Sequence, residues 1–139
     1  MARIRANAND TRLLAQLMRA EAEGEGTLGM LMVGNVGVNR VAGNCSDFED
    51  IRSIRRMVFQ SPGGFEATQK SYFYQHPRQK DLRLARKVIN GMRQSPAERA
   101  LWFFRPPGAC DPQWWGQPLT GRYKHHCFYQ PKAGLCPHL

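Results

Sequence analysis

Residues 30–41, MLMVGNVGVNRV, constrain the fold more than any other stretch. Their periodicity predicts a helix whose apolar side chains point in almost every direction, and a helix that is apolar all round belongs at the centre of a domain. Gly34 and Gly37 stand nearly one turn apart on it. Each costs about 1 kcal/mol of helix propensity, which close packing of neighbouring helices against the bare backbone can offset. The rest of the chain should therefore wrap around this element. Two polar residues interrupt it near its end. Arg40 reads as a structural partner for an acid. Asn39 reads either as a buried, hydrogen-bonded amide or as part of a site.

The preceding helix, over 13–25 (LLAQLMRAEAEGE), is amphipathic, with Leu13, Leu14, Leu17 and Met18 forming its buried stripe. At about 100° per residue Glu21 falls within that stripe, four residues after Leu17 and three after Met18. Glu23 points to solvent, and Gly24 is placed to end the helix. Partial burial and the negative end of the helix dipole both disfavour the charged form of Glu21 and raise its pKa. A general acid working near neutral pH needs that property. The same position also suits a carboxylate that snorkels to solvent or pairs with an arginine. Glu25, one turn on, reads as a solvated loop acid.

Residues 1–9 read as a frayed lead-in, with Asn9, Asp10 or Thr11 as the cap of the first helix. A third helix is expected from Ser46 or Asp47 to about Phe59, ended by the SPGG sequence at 61–64. SYFYQ at 71–75 reads as a short strand or an aromatic rim. A further helix spans 81–92, with Leu82, Ala85, Val88, Ile89 and Met92 inside. From Ala100 the period changes: ALWFF is strand-like, and HCFYQP at 126–131 reads as a returning strand. Alternation puts Trp102 and Phe104 on one face and Leu101 and Phe103 on the other. The tail, 132–139, reads as loosely held. The expected fold class is α+β, with helices first, a small antiparallel sheet last and a cleft between them, in one domain over 1–139.

The chain carries 20 basic and 11 acidic residues among 139, a net charge of +9. Such a surface favours polyanions, whether nucleic acid, anionic membrane or wall polymer. No zinc-finger spacing, RNA-binding signature or recognition helix is present, so nucleic acid is set aside as a partner. No run reaches the roughly 18 apolar residues of a membrane span, and the N-terminus lacks the apolar segment of a secretory signal. Cys45, Cys110, Cys127 and Cys136 form no C-x-x-C pair. They are read as buried thiols, disulfides of unspecified connectivity or cross-links to other proteins. A zinc set from Cys127, Cys136 and His138 with His125 or His126 fits no common spacing, so no metal or other cofactor is expected. No calcium-loop pattern is present.

Several motifs then occur in a familiar order. Glu21, Ala22, Gly24 and Glu25 give Glu-Ala-x-Gly-Glu, and a small-residue helix follows, ending in Asn39, Arg40 and Val41. MVFQSPGGFEA, ALWFFRPPGACDPQWW and KHHCFYQP come after it. The chain resembles, over nearly its whole length, the SleB/CwlJ family of cell-wall hydrolases of bacterial spore germination, most of all its CwlJ branch. The resemblance implies a lysozyme-like catalytic domain that cleaves spore cortex peptidoglycan after muramic acid-type sugars, with strands bearing muramic-δ-lactam as target. It implies that Glu21 is the catalytic acid. It also implies a place at the spore coat or outer cortex surface, reached without a signal peptide, and a coat protein as partner.

In the family the 60–66 loop lies beside the cleft, so Gln60, Phe65 and Glu66 are candidate wall residues, although Phe65 reads equally as a core anchor. Glu25, Asn39, Trp102 and Phe104 complete the candidate substrate contacts. Only Glu21 lies convincingly on an apolar face, which favours a lytic transglycosylase over a hydrolase needing two carboxylates. Glu25 and Glu66 keep hydrolysis open. The competing class is a non-catalytic coat or wall-binding protein with a structural Glu21.

Overall fold

In the computed structural model, which describes residues 2–61 and 64–139, α1 (Ala8–Ala22) starts at a capping box. The Asn7 side chain accepts from the Asp10 N–H at 2.8 Å, and the Asp10 carboxylate accepts from the Asn7 N–H at 3.0 Å. The cap thus lies two residues before the first one the sequence suggested. The lead-in is also not frayed: the Arg3 N–H donates to the Ile89 carbonyl at 2.7 Å, and Ile4 joins the core. Leu14, Leu17 and Met18 are fully buried.

A 3-10 turn over Glu23–Glu25 links α1 to α2 (Gly26–Ala42). The left-handed residue of the connection is Gly26 (φ 81°), not Gly24. α2 starts four residues earlier than the apolar run suggested, and it packs on α1, on α3 (Ile54–Val58) and on α4 (Gln79–Ile89). The two glycines are where those neighbours come closest. A Cβ on Gly34 would lie 2.9 Å from the Met18 thioether, and one on Gly37 would lie 2.8 Å from the Met57 methyl. The expectation from the bare apolar helix therefore holds.

Between α2 and α3 the single long helix expected is broken up. Ser46–Phe48 is a 3-10 turn, and Ser53 then caps a five-residue α3 by accepting from the Arg56 N–H at 3.1 Å. Of SPGG, Pro62 and Gly63 lie outside the described residues. SYFY is a 3-10 turn over Ser71–Tyr74, neither strand nor rim; Phe73 is its buried anchor, and Tyr72 and Tyr74 face solvent. In α4 the inward apolar residues are Leu84, Ala85, Val88 and Ile89, whereas Leu82 is half-buried and Met92 lies beyond the helix, 37% exposed.

The C-terminal part is an antiparallel sheet in the order β1-β4-β3-β2, so the fold is α+β as expected. β1 is Trp102–Phe104, β2 Gln113–Trp114, β3 Gln117–Tyr123 and β4 His126–Tyr129. β4 is buried at every residue because it lies between two strands and carries the α2-facing layer of Phe128 against Met32 and Val36.

Two disulfides fasten the sheet region. Cys45–Cys136 joins the segment after α2 to the tail, with Cα atoms 5.3 Å apart. Cys110–Cys127 joins the β1–β2 loop to β4, with Cα atoms 5.8 Å apart. The tail is therefore held, not loose: Cys136 and Leu139 are buried, and Arg99 donates to the Leu139 carbonyl at 2.6 Å. Cys127 and Cys136 belong to different disulfides, so the zinc set considered from spacing is not available as thiolates.

Candidate functional site

Between the end of α1 and the sheet lies a groove of about 860 Å³. Glu21 lines it from the last turn of α1. The Ala67 N–H approaches its carboxylate at 3.4 Å. Burial pushes the Glu21 pKa up; the Ala67 N–H opposes this, the charge of Glu66 adds to it, and the charges of Arg40 and Arg105 oppose it. The net shift is upward. A carboxyl held this way keeps its proton at higher pH than a free glutamate and has a cation nearby to stabilise its anion once the proton leaves.

Arg40 forms the wall beside it. Its Nε donates to the Leu101 carbonyl at 2.8 Å, and its guanidinium lies 4.7 Å from the Phe48 ring centroid and 4.6 Å from that of Phe65. Burial pulls its pKa down to about 10, so it remains a cation at neutral pH. The sequence suggested a merely structural arginine. The structure gives it that role and also a place in the groove, where its charge acts on Glu21.

The aromatic wall comes from β1 and from the β2–β3 hairpin. Trp102 and Phe104 line the groove as expected, and so do Phe103, Trp114 and Trp115. Alternation alone puts Phe103 on the opposite face. β1 is an edge strand of three residues, and the groove wraps around it, so strict alternation does not separate wall from core. Phe103 stacks on Phe65 at 5.8 Å and meets the His126 ring edge-on at 5.2 Å. Phe65 is thus both of the things the sequence allowed, a buried anchor and a wall residue. Gln60 and Glu66 also line the groove, and Glu66 is exposed. The Gln60 Oε1 is buried with no hydrogen-bond partner among the described residues.

Two of the expected contacts are not in the groove. Asn39 is fully buried; its amide donates to the carbonyls of Glu98 (3.2 Å) and Ala100 (2.8 Å), and its Oδ1 accepts from Arg3 at 2.5 Å. Both the amide NH2 and the Oδ1 are thus engaged by the chain, which ties α2 to the segment leading into β1. Glu25 is not a solvated loop acid either, being only 5% exposed. Its carboxylate accepts from the His125 N–H at 2.7 Å and bonds Nδ1 of His126, and its carbonyl accepts from Lys124 at 3.2 Å. Local spacing could not reveal this, because the partners lie about a hundred residues later, in the β3–β4 turn.

His126 itself lines the groove. Burial pushes its pKa down, against the pull of Glu25. A neutral imidazole donates Nδ1–H to Glu25 and keeps Nε2 as an acceptor. Asp47, Phe48 and Arg105 complete the lining that sequence reasoning missed. The signals that could have found some of these residues were the paired tryptophans after a turn and a cation on an otherwise apolar helix.

A Cell Wall Hydrolase family profile matches residues 24–129. The chain belongs to that family. Glu21 stands just outside the matched residues, in the helix that feeds them. A protein named cell wall hydrolase CwlJ in Oceanobacillus iheyensis is 64% identical over 99% of this chain and 97% of its own length. Its namesake in Bacillus subtilis is 55% identical over 98% of this chain and 95% of its own. A spore cortex-lytic enzyme of B. subtilis is 34% identical over 86% of this chain but only 37% of its own length.

Among solved structures, the catalytic domain of a germination-specific lytic transglycosylase, SleB, from Bacillus anthracis aligns with a TM-score of 0.69 at 25% identity, over 90% of this chain and 97% of that one. The SleB catalytic domain of Bacillus cereus aligns at 0.71, over 94% of this chain and 98% of that one, and at 24% identity it speaks for the fold alone. The chain is thus a cell wall-degrading enzyme with the α+β fold of those domains.

Proposed function

We propose that this chain cleaves the glycan strands of spore cortex peptidoglycan during germination, as a lytic transglycosylase in which Glu21 is first the acid and then the base. One observation carries the reading: Glu21 is the groove carboxyl whose burial raises its pKa, while the other groove acids, Asp47 and Glu66, are exposed. In the first step Glu21 gives its proton to the glycosidic oxygen and the C1–O bond breaks, leaving oxocarbenium character on the muramic-type sugar. The new carboxylate faces that charge and is stabilised by Arg40 and Arg105. It then takes the proton of the sugar's own 6-hydroxyl, whose oxygen attacks C1. The product is a 1,6-anhydro end, and the enzyme is returned to its starting protonation state.

The second reading, hydrolysis with two carboxylates, is favoured by one fact: Glu66 is close enough for its charge to act on Glu21. For location we propose the outer cortex surface beneath the coat, held there by a coat protein. The net charge of +9 supports retention on an anionic wall polymer.

Mass spectrometry of muropeptides released from decoated cortex tests the mechanism. Wild-type protein should give anhydro ends, and Glu21→Gln should give no fragments, since the amide has no acid proton to donate. Reducing ends from the wild type would replace the transglycosylase with the hydrolase, with Glu66 as the second carboxylate. Release by Glu21→Gln would remove Glu21 from catalysis altogether.

A further inference from the structure

A recess of about 210 Å³ opens off the groove, lined by Asp47, Trp102, Trp114, Trp115 and Gln117. Glu21, Phe65 and His126 are not part of it, so it lies away from the acid. All three tryptophans of the chain meet here. Two are fixed from behind: Trp114 packs on Phe104 at 4.6 Å and on Tyr129 at 5.6 Å, and Trp102 packs on Phe48 at 5.9 Å.

The third has no such support among the described residues. Trp115 is 88% exposed, in the left-handed backbone region at φ 51°, followed by Gly116 at φ 79°. This is the turn of the β2–β3 hairpin, where Asn-Gly would be the unstrained choice. An exposed indole contributes little to folding, and the left-handed backbone at a residue with a Cβ costs about 1–2 kcal/mol. Neither stability nor turn geometry accounts for a tryptophan at this tip, and strain of this kind is characteristic of binding sites.

We propose that this recess is a distal subsite for one sugar ring of the glycan strand. Indole faces accept the axial C–H groups of a pyranose, while Asp47 accepts from its hydroxyls. The Gln117 Oε1 is held by the Lys132 N–H at 3.1 Å, which leaves the amide N–H pair as donors. A wall peptide is the poorer occupant, because its terminal carboxylate would meet Asp47. Continuity with the groove through four shared residues places the ring on the same strand that Glu21 would cut, so the subsite rests on the glycan-cleaving reading.

Its test uses binding, not cleavage. The disulfide-intact 139-residue Glu21→Gln chain, labelled with nitrogen-15, has three indole N–H signals, assignable with single Trp→Phe variants. Peptide-free cortex tetrasaccharide should move the Trp114 and Trp115 signals saturably. Trp115→Ala, at an exposed position, should keep the fold and weaken that binding about three- to tenfold, the range for one aromatic contact. Unmoved indoles, movement with free stem peptide alone, or unchanged affinity in Trp115→Ala would each overturn the subsite. Release of muropeptides by the wild-type enzyme is read in a separate assay, so failure of the subsite and failure of the catalytic reading remain distinct.

Discussion

Replacing Glu25 by alanine removes a carboxylate that is 5% exposed and leaves two donors behind it without their acceptor, the His125 N–H and the His126 Nδ1–H. A buried donor stranded in this way costs about 1–3 kcal/mol. His126 is 1% exposed and gains little from water, and the His125 N–H is only part-buried, so the sum is about 2–5 kcal/mol. For a chain of this length, each kcal/mol moves the melting temperature by about 3–5 °C, so Glu25→Ala should melt roughly 6–25 °C below wild type. The control is Glu23→Ala. Glu23 is half-exposed and paired with Arg19 and Arg78 at the surface, and its loss should cost under about 1 kcal/mol. Scanning calorimetry on disulfide-intact protein measures both. If Glu25→Ala melts within about 2 °C of wild type yet loses wall lysis, Glu25 touches substrate and the structural assignment fails.

Three further predictions concern the groove and its scaffold. Glu21 binds its proton more tightly in the folded state than in the unfolded one, so its contribution to stability falls as pH rises from the ordinary carboxylate range through its raised folded pKa. Glu21→Gln should therefore show a smaller loss of stability over that window and be the more stable protein at its alkaline end; parallel pH–melting curves would contradict this. Arg40→Lys should lose about 1–3 kcal/mol, because an ammonium cannot both reach the Leu101 carbonyl through an Nε and present a flat cation to Phe48 and Phe65; an unchanged urea midpoint would refute the sandwich. The paired Cys45→Ser/Cys136→Ser change, at sequence separation 91, should destabilise more than Cys110→Ser/Cys127→Ser at separation 17. Loop entropy puts the gap at about 1.5 kcal/mol, and the reverse order would show that something other than chain closure dominates.

The positions of Glu21, Gly34 and Gly37 show how much one dimension can tell. Helical period placed Glu21 on an apolar face near a helix end, and Gly34 and Gly37 announced close neighbours; both readings concern elements whose contacts repeat every turn. The same logic failed at residues 46–59, where Ser53 restarts the helix after a break, and at 71–75, where β-prone aromatics adopt a 3-10 turn anchored by Phe73. β3 was not foreseen because Gln117–Tyr123 carries proline, glycine and polar residues; its pairing with β4 holds it in place, not its own propensity.

The sequence by itself determined a central apolar helix, an acid on the flank of its neighbour, a late turn to strands and a basic surface, because periodicity and composition act through residues near one another in the chain. Only the tertiary structure decided what stands around the acid. Arg40 became a groove wall when Phe48 and Phe65 closed on it, Glu25 became a buried partner of His126 rather than a solvated carboxylate, and the three tryptophans met at one recess. These pairings join residues up to 101 positions apart, and a side chain's solvation, charge and freedom depend on which of them form.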